Sequence, residues 1–494
     1  MILIYLLGCL NSTPKSEAPA KNDHPQSVNN GQTAGEQSSR ESASTPQSVE
    51  EIAKQRALVI EKRVLAQLAD ARSRSCIRPV LRGEPVPGSG SEMLFEAFFP
   101  PKDGPCRSQI YEANNKMLRS KSKKRRRKGE KKSAKQANRK GKGEANKTPK
   151  EIFIPDWSSF VSVCQAGIDT MRTAIQYEDN CSPLRAGVRS LQSLRHITLL
   201  SNVIGAKIEQ HINVGEYRQG ANLMTDTLRA LQDIERGGTP FGLAMAGRGA
   251  TIELTAPLKK LISVYPNTDF LADLVALQKT EISLKSFFEA EQLDADLTMS
   301  LPALHDPNWA PPGGWDKIDP PYTDEVDGIK TISMGKYTDA YTVLESTTRS
   351  YARVFEQCSD DNKVDDCYRG LQVLRETRTP LRAPENPAEA KLESMIHVLN
   401  GIAGPDNSVY VLYASYRSFV LHAAQISIRW QLDGCPDINT FQAQNLSLLV
   451  DSRTGKNFPA SVDGSTLQLE PVLPLLDKNR EPLKWAIECN TLPK

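Results

Sequence analysis

The sequence has no long apolar run. No window of 18 or more uninterrupted apolar residues occurs among its 494, whereas a helix crossing ~30 Å of hydrocarbon needs ~20 residues, which excludes an ordinary membrane-spanning helix. Metal spacing is missing too. No two cysteines stand as C-x2-C or C-x4-C, and no histidine follows another at i+3 to i+5, the arrangements that converge tetrahedral ligands. There is no G-x-S-x-G, H-E-x-x-H or kinase motif set. The glycine-rich stretch from Gly237 to Gly249 lacks the Lys-Ser/Thr of a phosphate loop and reads instead as a helix break followed by close packing through Gly242 and Gly247. Asp360, Asp361, Asp365 and Asp366 lack the spacing and the glycine of a calcium loop, so they read as exposed loop acids. His196, His211, His305, His397 and His422 are scattered, and His422, on an apolar segment, reads as a core residue. No catalytic residue, metal or cofactor is therefore expected. A hydrolase whose site assembles only in the fold stays open as an alternative.

What is present is unevenly spread. Between Lys116 and Lys150 stand 17 Lys or Arg and two acids, Glu130 and Glu144, a local charge of +15. The whole chain carries +3, so the rest stands at −12: an acidic body with a basic insert. The insert has neither aromatics nor apolar periodicity, and self-repulsion favours an extended chain. Release of counterions draws such a segment to polyanions, with Lys123, Lys124, Arg125, Arg126, Arg127 and Lys128 as its densest part. An envelope polyanion such as acidic lipid, a passive linker and, with residues 119–142, a nucleic acid are the open readings. The missing base-stacking aromatics count against the last.

Ser48-Val-Glu-Glu51 is a capping box. It opens a helix with the apolar stripe Ile52, Val59, Ile60, Val64, Leu65 and Leu68. From Trp157 through Phe160, Val161, Cys164, Ile168 and Met171 to Ile175 the apolar positions follow i, i+3, i+4, i+7. Further helices are predicted over about 183–212, 217–235, 250–265, 268–291, 338–357, 366–376, 387–402 and 407–431. The last is apolar nearly all round, the mark of a central buried helix, although Arg417, Gln425 and Arg429 exclude a membrane span. Residues 302–326 hold six prolines and two glycines, a long loop whose Trp309, Trp315 and Tyr322 are candidate ligand or partner contacts. After Gly434-Cys435-Pro436 the helical period ends. Leu446-Ser-Leu448 and Leu467-Gln-Leu469 then predict short strands around turns at Thr454-Gly455 and Asp463-Gly464. The expected fold is mostly α, a helical-hairpin array or bundle with a small extended C-terminal segment of short β-strands. Its expected divisions are a partial signal (1–9), a polar tether (10–47), an N-terminal helix with a Cys-linked segment (48–112), a basic linker (113–151), a helical domain (152–433) and the C-terminal segment (434–494) packed on it.

The opening apolar run is eight residues long and ends in Leu6-Leu7-Gly8-Cys9, which resembles the lipobox of bacterial lipoproteins. That resemblance implies acylation of Cys9, a membrane partner through the lipid anchor, and a place in the bacterial cell envelope. Residues 10–47 contain Leu10 and Val28 as their large aliphatic side chains. They bury too little to offset their ordering entropy, and a flexible tether of that length reaches ~35 Å. Gly215-Glu-Tyr217 and Gly335-Lys-Tyr337-Thr-Asp-Ala340 resemble the start of the second helix of tetratricopeptide repeats, though no 34-residue period links them. The last 90 residues or so resemble the C-terminal parts of large helical exported bacterial proteins, which implies architecture and no activity. Eight cysteines remain besides Cys9: Cys76, Cys106, Cys164, Cys181, Cys358, Cys367, Cys435 and Cys489. They allow 105 pairings. The simplest joins sequence neighbours in the order given, with Cys358 to Cys367 the clearest because its acidic interior reads as a loop. Such bridges persist in oxidising compartments. The expected function is a non-catalytic binding or scaffold protein of the envelope, with a polyanion or a protein as partner.

Overall fold

A computed structural model describes residues 48–73, 77–120 apart from Lys102, 153–180, 191–237, 240–297 apart from Ile282, 301–305, parts of 341–358, 363–377, 407–476 and 481–490. The chain divides into two compact units. One is formed by residues 1–61, 298–346 and 380–403, the other by residues 62–297, 347–379 and 404–494.

In the first unit the described residues belong mainly to α1 (Val49–Ser73), which continues into the second, and to the short α10 (Leu301–His305). The capping box forms as its sequence requires: Ser48 Oγ accepts from Glu51 N at 3.2 Å and Glu51 Oε2 from Ser48 N at 3.0 Å. The buried stripe of α1 departs from expectation. Ile52, Ala53, Ala57, Ile60 and Val64 are buried, whereas Val59 is 70% and Leu65 49% exposed. Small alanines make the contact face, and a periodicity drawn through large side chains alone rotates it. His305 Nε2 lies 2.8 Å from Glu61 Oε1.

The second unit holds the main core. Its elements are β1 (Val86–Ser89), α2 (Ser91–Phe98), α3 (105–120), a 3-10 turn (Trp157–Phe160) leading into α4 (Val161–Ala174), β2 (Tyr177–Asp179), α5 (Leu191–Asn213), α6 (Tyr217–Gly237), α7 (Pro240–Val264), α8 (Thr268–Lys279) and α9 (Leu284–Ala295). Then come α11 (Val364–Thr377), α12 (Asn407–Leu432), α13 (Ile438–Asn445), and strands β3 (Ala460–Asp463), β4 (Thr466–Leu469) and β5 (Trp485–Glu488). Helix α7 packs on α5, α6 and α12, and α12 also packs on α8 and α11. The fold is mostly α, and a three-stranded antiparallel meander, β3-β4-β5, closes the C-terminal segment. A two-stranded parallel pair, β1-β2, was not legible beforehand.

Several boundaries follow from local chemistry. Helix α5 ends at Gly215 (φ 80°) and α12 at Gly434 (φ 82°). Each end is closed by a pair of bonds, Glu216 N to His211 O with Gly215 N to Ile212 O, and Cys435 N to Trp430 O with Gly434 N to Gln431 O, the Schellman arrangement that favours glycine. The tetratricopeptide-like start at Gly215 is thus a turn glycine, with Tyr217 set beside Tyr265 at 6.2 Å between ring centroids. The stretch predicted as one helix over 268–291 is two, because Thr280 caps α8 and Ser283 Oγ restarts the chain by accepting from Ser286 N at 3.0 Å. The glycine-rich segment is helical from Pro240, where proline suits a first turn. Leu446-Ser-Leu448 lies in a 3-10 turn, not a strand: Leu449 is buried while Leu446 is 59% exposed. Leu467 and Leu469 do alternate inward on β4.

Among the described residues, disulfides join Cys106 to Cys164, Cys358 to Cys367 and Cys435 to Cys489. The first overturns sequential pairing for Cys106 and Cys164. Helix α2 packs on α4, and residues of α2, α3 and α4 share one core, so the nearest partner in space is not the nearest in sequence. The flanks of the basic stretch, 105–120 and 153–174, belong to this one unit.

Candidate functional site

The densest chemistry lies along α6. Every residue from Leu223 to Ile234 is buried, including Asp226, Arg229, Gln232 and Asp233. Asp226, Arg229 and Asp233 fall at i, i+3 and i+7, one stripe of the helix. Such a stripe ordinarily faces water, and here an irregular strap with a bend over residues 81–83 covers it. The strap runs from Ile77 to β1 and is held by Arg78 N to Glu178 O (2.9 Å) and Val86 N to Gln176 O (2.8 Å). Arg78 pairs with Asp233, whose other oxygen accepts from Arg229 Nε at 3.2 Å. Arg82 bridges Asp226 and Asp273 and donates to Asn222 O at 3.2 Å, while Arg172 Nε reaches Asp226 at 3.0 Å. Arg78 and Arg82, four residues apart on the strap, thus meet acids seven residues, ~10 Å of helix, apart on α6.

A second tier continues towards α8 and α12. Arg417 Nη1 lies 2.5 Å from Glu235 Oε1, and Arg453 Nη2 lies 3.3 Å from Glu281 Oε2. Gly247 of α7 admits the first pair, since a Cβ there would collide with Glu235 Oε1. Arg236 and Arg78 both donate to Thr280 O, Arg78 at 3.5 Å, and Gln232 Nε2 donates to Leu277 O at 3.0 Å. Burial raises the pKa of Asp226 and of Asp273, against the opposing pull of Arg82. Burial, then the charges of Arg229, Arg236 and Arg417, lowers the pKa of Arg78, yet a guanidinium gives up its proton so reluctantly that it stays charged beside Asp233. Burial also works against the charge on Arg417, but Glu235 and Glu281 outweigh it and raise the pKa. Each acid named here accepts from at least one arginine and so fixes helix positions rather than offering a free proton acceptor.

The histidines divide. His422 is a satisfied core residue: Nε2 lies 2.7 Å from Leu448 O, Nδ1 lies 3.2 Å from Gln278 Nε2, and Phe458 meets the ring edge-on at 4.9 Å. His196, on α5, is fully buried with both ring nitrogens unpartnered, stacked over Tyr111 at 6.0 Å. Burial, and after it the charge of Arg107, pushes its pKa down to about 4. A depression lined by Ser418, Asp451, Arg453, Phe419 and Phe458 offers about 10 Å³, room for about one water. Among the described residues no group of three or more His, Cys, Asp or Glu could hold a metal ion, and no helix is long and apolar enough to cross a membrane.

Of the residues singled out from sequence, Asp365 accepts from Arg369 at 2.7 Å and pairs with Lys456, and Asp366 accepts from Arg369 at 3.0 Å. Cys9, Cys76, Cys181, Lys123–Lys128, Trp309, Trp315, Tyr322, His397, Asp360, Asp361, Gly335–Ala340 and the helix over 387–402 lie outside the described residues. The α6 network was missed. Its one sequence signal was an arginine pair, Arg78 and Arg82, four residues apart, matched to acids seven apart on a helix. Compared with known families, with curated proteins and with solved structures, the chain matches none.

Proposed function

We propose that the chain is a non-catalytic binding or scaffold protein of the bacterial cell envelope, tethered to a membrane through an acyl group on Cys9 and displaying its basic insert to an anionic partner. The observation that carries this reading is the Cys106–Cys164 bridge. Disulfides persist in oxidising compartments, and this one joins the two sides of the basic stretch across a single core. Because both flanks of the insert belong to one unit, a spacer between bodies is the weaker reading, which favours the polyanion reading over the passive linker. The lipobox-like Leu6-Leu7-Gly8-Cys9 supports the anchor.

Two measurements on the full chain test this. Metabolic labelling with palmitate should mark the wild type and not Cys9→Ser. Flotation with vesicles containing acidic lipid should fall steeply with salt, by at least tenfold in affinity between 50 and 200 mM on the scale of several phosphate contacts. It should fall likewise when Lys123–Lys128 are replaced by Gln. Free thiols at Cys106 and Cys164 in protein purified from cells, or tighter binding to DNA than to acidic vesicles, would turn the reading towards the nucleic-acid alternative.

A further inference from the structure

The strap over α6 is tied to β2 at its start as well as through β1. Ile77 and Asp179 form an antiparallel bridge, and Arg78 N donates to Glu178 O at 2.9 Å, as Gly90 N does to Asp179 O at 3.0 Å. Cys76 directly precedes Ile77, and Cys181 follows Asp179 by two residues. In an antiparallel bridge the chain before one partner and the chain after the other leave towards the same side, from Cα atoms ~4.5–5.5 Å apart. A disulfide spans Cα distances of ~4.4–6.8 Å. The bridge thus brings the two backbones to disulfide spacing beside the cysteines. Asn180, between Asp179 and Cys181, is 3% exposed and its Nδ2 donates to Tyr177 O at 3.1 Å, which fixes that end of β2.

The remaining cysteines leave these two to each other. With Cys106–Cys164, Cys358–Cys367 and Cys435–Cys489 joined, Cys9, Cys76 and Cys181 are the three of the nine still to be assigned. Cys9 is separated from Cys76 by the polar segment 10–47 and by α1, whereas the Ile77–Asp179 bridge gives Cys76 and Cys181 the high effective concentration of a short tether. The pairing also nests around Cys106–Cys164. Between the two bridges β1 pairs with β2 and α2 packs on α4, so the two arms of chain run side by side. Ile77 is 68% exposed, which opens the site to an oxidant.

We infer that Cys76 and Cys181 form a disulfide that clamps the strap to the end of β2, two residues before Arg78 enters its pair with Asp233. One thiolate attacks a protein disulfide of the oxidising compartment, the second displaces the mixed disulfide, and the two protons and two electrons leave with the reduced dithiol. The inference shares with the proposed function the oxidising compartment alone; neither the lipid anchor nor the basic insert enters it.

The test alkylates the full chain before any reductant is added, digests it with trypsin and reads the peptides by mass spectrometry. Cleavage after Arg74, Arg82, Arg172 and Arg185, with Arg78 protected by Pro79, should release Ser75–Arg82 linked to Thr173–Arg185 as one species that separates on reduction. Cys76→Ser should expose a single alkylatable thiol at Cys181, and Cys181→Ser one at Cys76. Alkylated Cys76 and Cys181 beside an intact Cys106–Cys164 bridge, or Ser75–Arg82 linked to the peptide of Cys9, overturns the inference and leaves the envelope reading standing. Alkylation of every cysteine after Cys9 overturns both. With Cys76 and Cys181 both replaced by Ser, the amide hydrogens of Arg78 and Val86 should exchange about tenfold faster or more, because local opening of the strap loses its covalent restraint. Unchanged exchange overturns the clamp.

Discussion

Helices α6 and α12 are buried over similar lengths, every residue from Leu223 to Ile234 in one and from Ser415 to Ile428 in the other, yet they are held in place by different physics. The buried stretch of α12 contains one charge, Arg417. Its hydroxyls turn inward on its own backbone, as Ser415 Oγ does on Val411 O and Ser427 Oγ on Ala423 O, both at 2.7 Å. Its neutral polar groups also bond outward, Gln425 Nε2 to Leu274 O at 3.3 Å and His422 Nε2 with Leu448 O at 2.7 Å, and most of the remaining contact is apolar, non-directional and tolerant of small shifts. The buried stretch of α6 contains Asp226, Arg229 and Asp233, and each requires a partner at one place. Ion pairs out of water return little net stability against an apolar replacement, but a half-broken pair is costly. Here α12 supplies burial, and α6 sets the register of the strap and of its neighbours.

The sharpest break between the two is Asp233→Asn, which leaves Arg78 and Arg229 buried with no counter-charge. We expect a loss of about 3–5 kcal/mol in denaturant unfolding. A triple replacement of Arg78, Arg229 and Asp233 by Met, Leu and Leu should recover most of it, and a triple variant no more stable than the single one would show that the network itself drives folding.

The two buried histidines extend the comparison to proton binding. His196 is fully buried and unpartnered, with a folded pKa of about 4, against ~6.5 in an unfolded chain. A base whose folded pKa is lowered binds fewer protons folded than unfolded between those values, so stability falls as pH drops from ~6.5 towards 4, by roughly 3 kcal/mol. His196→Phe should flatten that part of the stability profile and leave stability at pH 7 equal or higher. His422 also has a lowered pKa, from burial, although Leu448 O opposes the shift. His422→Phe should instead weaken the protein at pH 7, because it strands Leu448 O. Equal profiles for the two variants would contradict this contrast.

Much of α12 was legible in the sequence because an apolar run has one interpretation at helical length. The helix of α6 was legible as well, but its environment was not. A stripe holding Asp226, Arg229 and Asp233 has the signature of a wet face, and what dries it is a strap some 145 residues earlier in the chain. Long-range cover of this kind leaves no period in a local window. The same limit misplaced Cys106 and Cys164, whose partnership depends on how α3 and α4 share a core, whereas Cys358 with Cys367 and Cys435 with Cys489 followed chain order. Of the ion network, only the spacing of Arg78 and Arg82 could have been read in advance, and only with the α6 acids already in view.

Two glycines bring the comparison down to single methyl groups. At Gly247 an added Cβ would strike Glu235 Oε1 and come within 3.8 Å of Arg417 Nη1, so Gly247→Ala disturbs the Glu235–Arg417 ion pair that links α6 to α12. We expect a loss of about 2 kcal/mol, within the range for overpacking, and one that grows when Arg417→Met has not been made first. At Gly434, the end of α12, nothing lies within 4 Å of an added Cβ, and the only obstacle is φ of +82°. Gly434→Ala should therefore cost about 1 kcal/mol from backbone strain alone, with the same value at low and high salt. The first substitution tests an ionic joint and the second a backbone turn. If Gly247→Ala proves as mild and as additive with Arg417→Met as Gly434→Ala, the link between the two helices is apolar packing and the ion pair is incidental to it.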